Sequence, residues 1–174
     1  MVKEVTNHQI LVLVGRQGCY KTTWLARLLP PELQRYFCVR SNSGRLTKDD
    51  NLALSEFALI CLEEIDELRL GDINQLKAMV TMPAVNERRA YGHYKENRPH
   101  IASFCGTTNQ PEFLNDPTGS RRWLPFTVVH IDDPYTHPVD YAGVYGQALM
   151  LWKKGFRYWF DEEEIAQVNA LNER

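Results

Sequence analysis

No stretch of this sequence approaches the roughly 20 consecutive apolar residues needed to cross a bilayer. Its opening, MVKEVTNHQ, carries acidic and polar groups where a secretion signal needs an apolar core. A cytoplasmic protein without a membrane partner is the expectation. The four cysteines, Cys19, Cys38, Cys61 and Cys105, are scattered and form no Cys-x-x-Cys pair, which argues against structural zinc and suits a reducing compartment. The five histidines give no H-x-x-x-H or related metal spacing. Neither charge dominates: 20 Lys and Arg against 22 Asp and Glu leave a net charge of -2. Bulk attraction to nucleic acid is thereby excluded, and any such binding must come from a local basic patch. Internal repeats and low-complexity linkers are missing too.

What is there is ordinary globular material, 44% hydrophobic and 24% charged over 174 residues. That length suits one domain spanning 1–174. Short apolar runs alternate with longer amphipathic ones, which predicts an α/β fold with a mainly parallel sheet. Strands are expected at Ile10–Gly15, Tyr36–Val39, Ala58–Glu63, Ile101–Gly106 and Trp123–Ile131. The third, ALICLE, is a continuous apolar run closed by acids, as a strand buried on both faces should be. Helices are expected at Lys21–Leu29, Gly71–Val80, Tyr141–Lys154 and Asp161–Asn172, with the tryptophans and the FRYWF segment (Phe156–Phe160) packing the C-terminal helices on the sheet.

The first strand runs into GRQGCYKTT. From Gly15 to Lys21 and Thr22 the spacing is that of the phosphate-binding pattern G-x-x-x-x-G-K-S/T, with Tyr20 in place of the second glycine. Such a loop turns tightly so that its amides converge on phosphates, while the lysine reaches the terminal phosphates and the hydroxyl holds Mg2+. Gly15, Arg16, Gln17, Gly18, Cys19, Tyr20, Lys21, Thr22 and Thr23 are therefore the candidate nucleotide-binding residues. If Tyr20 must take a positive φ it is strained by roughly 1–2 kcal/mol. If the position needs only close approach of the backbone, little is lost.

ALICLEEIDEL then delivers Glu63, Glu64 and Asp66 at a strand end. Phosphoryl transfer to water needs one carboxylate beside the metal and another to polarise the water. Glu63 is the metal-side candidate, with Thr22, and Glu64 the catalytic one. Further on, FCGTTNQPEFLNDPTGSRRWLPF joins a strand end, the trio Thr107–Thr108–Asn109 and the tandem Arg121–Arg122. The order of phosphate loop, EEIDEL, GTTN and T-G-x-R-R-W resembles the virulence-associated E family, itself similar to superfamily 3 and poxvirus-type primase-helicases. Tyr20 and Glu63 depart from the usual glycine and aspartate of such sites.

That resemblance implies an AAA+-like three-layer P-loop fold with a five-stranded central sheet and C-terminal helices. It implies an ATPase motor of a phage or mobile-element replication protein, using ATP and Mg2+ and assembled as a hexamer-like ring on single-stranded DNA. Asn109 would orient the attacking water, and Arg121 or Arg122 would act as an arginine finger in a neighbouring subunit; a surface or DNA-backbone role for the pair stays open. A primase module or partner is expected beside it, so the chain is expected to be an excised domain or a reduced homologue. Between the acid and Asn109 strands, NERRAYGHYKENRPH interleaves Arg88, Arg89, Lys95 and Arg98 with Tyr91 and Tyr94. Cations for phosphates and rings for bases suit single-stranded nucleic acid, and a salt-bridged surface hairpin is the competing reading. Lys77 and Arg88 could instead face an adjacent subunit's nucleotide. A non-hydrolysing nucleotide-binding module and a monomeric kinase or GTPase are the alternative functions.

Overall fold

The computed structural model describes residues 7–41, 47–88, 93–113 and 120–172. Seven strands follow in order: β1 (Ile10–Val14), β2 (Phe37–Arg40), β3 (Leu59–Leu62), β4 (Ala84–Glu87), β5 (Glu96–Pro99), β6 (Ser103–Thr108) and β7 (Trp123–Thr127). Five helices accompany them: α1 (Lys21–Ala26), α2 (Lys48–Ala53), α3 (Leu70–Val80), α4 (Tyr141–Lys153) and α5 (Glu162–Asn172). Five strands form one parallel sheet in the order β2-β3-β6-β1-β7, and β4 and β5 form a separate antiparallel hairpin.

The alternation in β1 explains the layering. Ile10, Val12 and Val14 point to one face, where they join Ile60, Leu62, Phe104 and Trp123 beneath Leu54, Leu76, Met79 and Val80. Leu13 points to the other face and packs with Leu25 of α1, Leu59, Cys61 and Cys105. Helices thus cover both faces of a sheet whose central strands β3, β6 and β1 are largely buried. Cys61 and Cys105 sit opposite each other across β3 and β6, and their proximity together with burial pushes the Cys105 thiol far up, leaving it an uncharged core side chain.

Each expected strand is found within a few residues of its expected limits. The helix expected over Lys21–Leu29 closes at Ala26. Leu28 and Leu29 then donate to Leu25 and Ala26 at 3.1 and 3.2 Å, a tightened turn ahead of Pro30 and Pro31. Helix α2 was not anticipated; it starts in a capping box in which the Thr47 amide donates to the Asp50 carboxylate at 2.5 Å. Arg40 pairs with the same Asp50 and ties β2 to α2.

The C-terminal expectation is only half met. Trp123 is core, 2% exposed, and holds α5 through its carbonyl, which accepts from the Asn172 amide at 3.0 Å. Helix α4, in contrast, carries no buried residue, and Trp152 and Phe156 are 56% and 59% exposed. Its tie to the body includes the Tyr145 hydroxyl, which donates to the Leu28 carbonyl at 2.8 Å. Among the described residues no helix is long and apolar enough to cross a membrane.

Candidate functional site

Because β1, β6 and β3 are parallel neighbours, the segments that follow them emerge side by side at one end of the sheet. These segments carry GRQGCYKTT, TTN and EEID, the three stretches that the sequence reading assigned to one site. The Gly15 amide donates to the Thr108 carbonyl at 3.1 Å, which extends the β1–β6 ladder into the loop. A cavity of about 390 Å³ opens there, lined by Gln17, Lys21, Thr22, Glu63, Glu64 and Asn109 among others.

Lys21 is 7% exposed, and its ammonium is fully engaged by its surroundings. It donates to the Gly15 and Arg16 carbonyls at 2.7 and 2.8 Å and to the Asn109 side-chain oxygen at 3.0 Å. The Cys19 thiol lies 3.8 Å from it. One cation therefore binds the loop after β1 to the end of β6. The Thr22 hydroxyl donates to the Glu63 carboxylate at 2.9 Å, which brings the two metal-side candidates together. Asp66 is used differently: the Thr108 hydroxyl donates to it at 2.6 Å and accepts from the Gln110 amide at 3.0 Å. This fixes the turn after β3 against the end of β6.

Backbone conformation answers the question that Tyr20 raised. Tyr20 has φ 63°, so the position does require the left-handed region, at a strain of roughly 1–2 kcal/mol for an L-residue. Its ring is 41% exposed and packs edge-on against Tyr135, centroids 6.4 Å apart. Gly18 has φ 78° and Glu64 has φ 53°, so left-handed residues flank the same cavity from both sides. Gly106 permits the close fit of the acid turn: a Cβ there would lie 2.8 Å from the Leu62 carbonyl and 2.3 Å from the Ile65 side chain.

Arg121 and Arg122 lie elsewhere. They immediately precede β7, whose first residue, Trp123, pairs with Ile10 at the start of β1. The phosphate-loop pattern begins after the end of β1, about 16 Å further along the sheet for five residues of strand. Around the arginines a second cavity of about 220 Å³ includes His8, Gln9, Thr81, Trp159 and Phe160. Burial lowers the Arg122 guanidinium, with Arg121 adding to it, and the Arg122 Nε is buried without a hydrogen-bond partner among the described residues. Burial likewise holds the His8 imidazole below its usual range, aided by Arg122, His100 and Arg121. Lys77, 9% exposed, is lowered by burial and then by Arg122, so it belongs to this cationic end and does not reach outward. The sequence reading missed His8 and Tyr135, since only register and tertiary packing bring them to Arg122 and Tyr20.

The segment between β3 and β6 forms the hairpin that its composition suggested. Val85 is fully buried and joins the main core, which anchors the base. Arg88, Lys95 and Tyr94 are exposed near the turn, Tyr94 at 83%. The Arg98 guanidinium bonds Glu96 at 2.5 and 3.1 Å and lies 3.9 Å from Glu56, contacts that link the hairpin to the body. Arg89 and Tyr91 lie outside the described residues.

The fold is similar to two solved structures of the C-terminal region (305–718) of NrS-1. The A form apo structure aligns with a TM-score of 0.52 at 13% identity over 83% of this chain and 33% of that one. A second apo structure also gives 0.52, at 12% identity over 96% and 36%. The chain thus spans about a third of the solved chains it matches. No curated protein matches it. The family model for the virulence-associated protein E-like domain matches residues 5–174, nearly the whole length, and the chain belongs to that family.

Proposed function

We propose that this chain is an AAA+-type P-loop ATPase, the motor core of a DNA replication protein that works as a ring on single-stranded DNA. The observation that carries the reading is the convergence of Lys21, Thr22, Glu63 and Asn109 on one cavity at three adjacent strand ends. The strand order β2-β3-β6-β1-β7 supports it, since the site lies beyond the carboxyl ends of the strands, where open α/β sheets take ligands.

In this reading the amides from Gly15 to Thr23 wrap the triphosphate of ATP, and the Lys21 ammonium exchanges a main-chain carbonyl for a phosphate oxygen. Mg2+ fits the residues present. Among the described residues no cluster of three or more His, Cys, Asp or Glu could hold a metal alone, but a hydroxyl beside a carboxylate is the sparse protein contribution this ion accepts. Thr22 and Glu63 would hold it, and it would neutralise phosphate charge. Glu64 and Asn109 would orient the attacking water. Within one chain Arg121 and Arg122 start from the opposite end of the sheet, so a finger role requires a second subunit.

The basic hairpin, with Arg88, Lys95 and Tyr94 outward, is the proposed DNA contact, and Arg89 and Tyr91 would add to it. The test is ATP turnover against protein concentration, with and without single-stranded DNA. Turnover that rises with both supports the ring motor, whereas full activity in dilute monomer without DNA removes it. Tight ATP binding with no turnover would favour the non-hydrolysing module, a reading to which the left-handed strain at Tyr20 lends weight.

A further inference from the structure

Further along α1 from the phosphate loop lies a larger cavity of about 500 Å³ that the reading above leaves unassigned. Trp24, Leu28, Ile131, Val139, Tyr141 and Val144 supply flat or aliphatic walls, and Asp132 gives a polar edge. Both size and lining are those of a small-molecule pocket, apolar with a few placed polar groups. Trp24 is the conspicuous member: it is 41% exposed, one helical turn (about 5 Å) beyond Lys21, and adds nothing to the buried core.

Neighbouring residues along α1 line the two cavities. Tyr20 and Thr23 line the phosphate side, and Trp24 and Arg27 line the other. The Tyr20 ring meets Tyr135 edge-on, Arg27 lies 5.7 Å from the Tyr135 ring centre, and the Arg27 guanidinium donates to the His137 carbonyl at 3.3 Å. The residue that departs from the phosphate-loop pattern is thus also the one whose side chain ties that loop to the segment roofing the aromatic cavity.

We infer that this cavity is the nucleobase subsite, in which the base stacks on Trp24 between α1 and the segment from Ile131 to Val144. The inference rests on the phosphate-loop reading and deepens it, because it gives the base of the proposed ATP residues of its own. A stacked aromatic base is worth roughly tenfold or more in affinity.

The experiment is calorimetric titration with Mg2+–ATP and, separately, Mg2+–tripolyphosphate, on wild type, Trp24→Ala, Trp24→Phe and Val144→Trp. Val144 is 55% exposed on α4, so the larger side chain fills the cavity from the opposite wall without entering the core. Wild type should bind ATP about tenfold more tightly than tripolyphosphate. Trp24→Ala and Val144→Trp should erase that margin while leaving tripolyphosphate affinity unchanged, and Trp24→Phe should retain most of it. Equal wild-type affinities, or an ATP margin that survives both cavity variants, would overturn the base subsite and leave the phosphate site standing. Failure of wild type to bind either ligand would instead overturn the phosphate reading, and this one with it.

Discussion

The two ends of the central sheet are built on opposite electrostatic plans. At the carboxyl end, Lys21 is met by two carbonyls and an amide oxygen, Thr22 by Glu63, and Thr108 by Asp66. At the amino end, Arg121, Arg122, Lys77 and His8 crowd together, and burial and mutual repulsion lower three of them. One end is balanced within the chain. The other gathers cationic and titratable side chains whose burial disfavours their charged forms. In the proposed ring, the two ends would be the two halves of a site closed between copies.

Breaking the cationic end should have the largest effect. Alanine at whichever of Arg121 and Arg122 serves as the proposed finger should lower turnover about a thousandfold with ATP affinity little changed, measured at saturating ATP. If both single variants turn over normally, the pair has no finger role. Crowding the balanced end comes next. Gly106→Ala forces a methyl against the Leu62 carbonyl and should destabilise the fold by about 1–3 kcal/mol in denaturant unfolding. A variant as stable as wild type would show that the acid turn is loosely seated. Removing the cation of that end, by Lys21→Ala, should weaken ATP binding tenfold or more, and unchanged affinity would take the nucleotide site out of the reading.

The smallest effect separates the two ends by pH. The folded pKa of His8 lies below its usual 6.5, so the unfolded chain takes up a proton first as pH falls. Stability should therefore decline as pH drops through about 6.5, and level off below the folded pKa. His8→Asn should flatten that part of the curve in melting temperature against pH. An identical slope would remove His8 from the cationic cluster.

The carboxyl end was the legible one. Each of its side chains follows directly from an apolar run, so GRQGCYKTT, EEID and TTN could be placed once their strands were recognised. Only the strand order was needed to bring them together. The amino end depends on the parallel register that sets Trp123 beside Ile10, and nothing local to His8 or Arg122 encodes it. Helix α2 was overlooked although Thr47 and Asp50 spell a capping box, because KDDNLA offers barely one turn of apolar spacing. The FRYWF segment misled for a different reason: aromatic composition signals a surface that wants covering without saying by what. Phe156 and Tyr158 are 59% and 43% exposed in the single chain.

Val85, at the root of the basic hairpin, shares one packed cluster with Leu62 and Ile65, the residues on either side of the two glutamates. Close-packed side chains therefore connect the root of the hairpin with the turn that carries Glu63 and Glu64. In the proposed motor, pull on a bound strand would thus be felt at the acids.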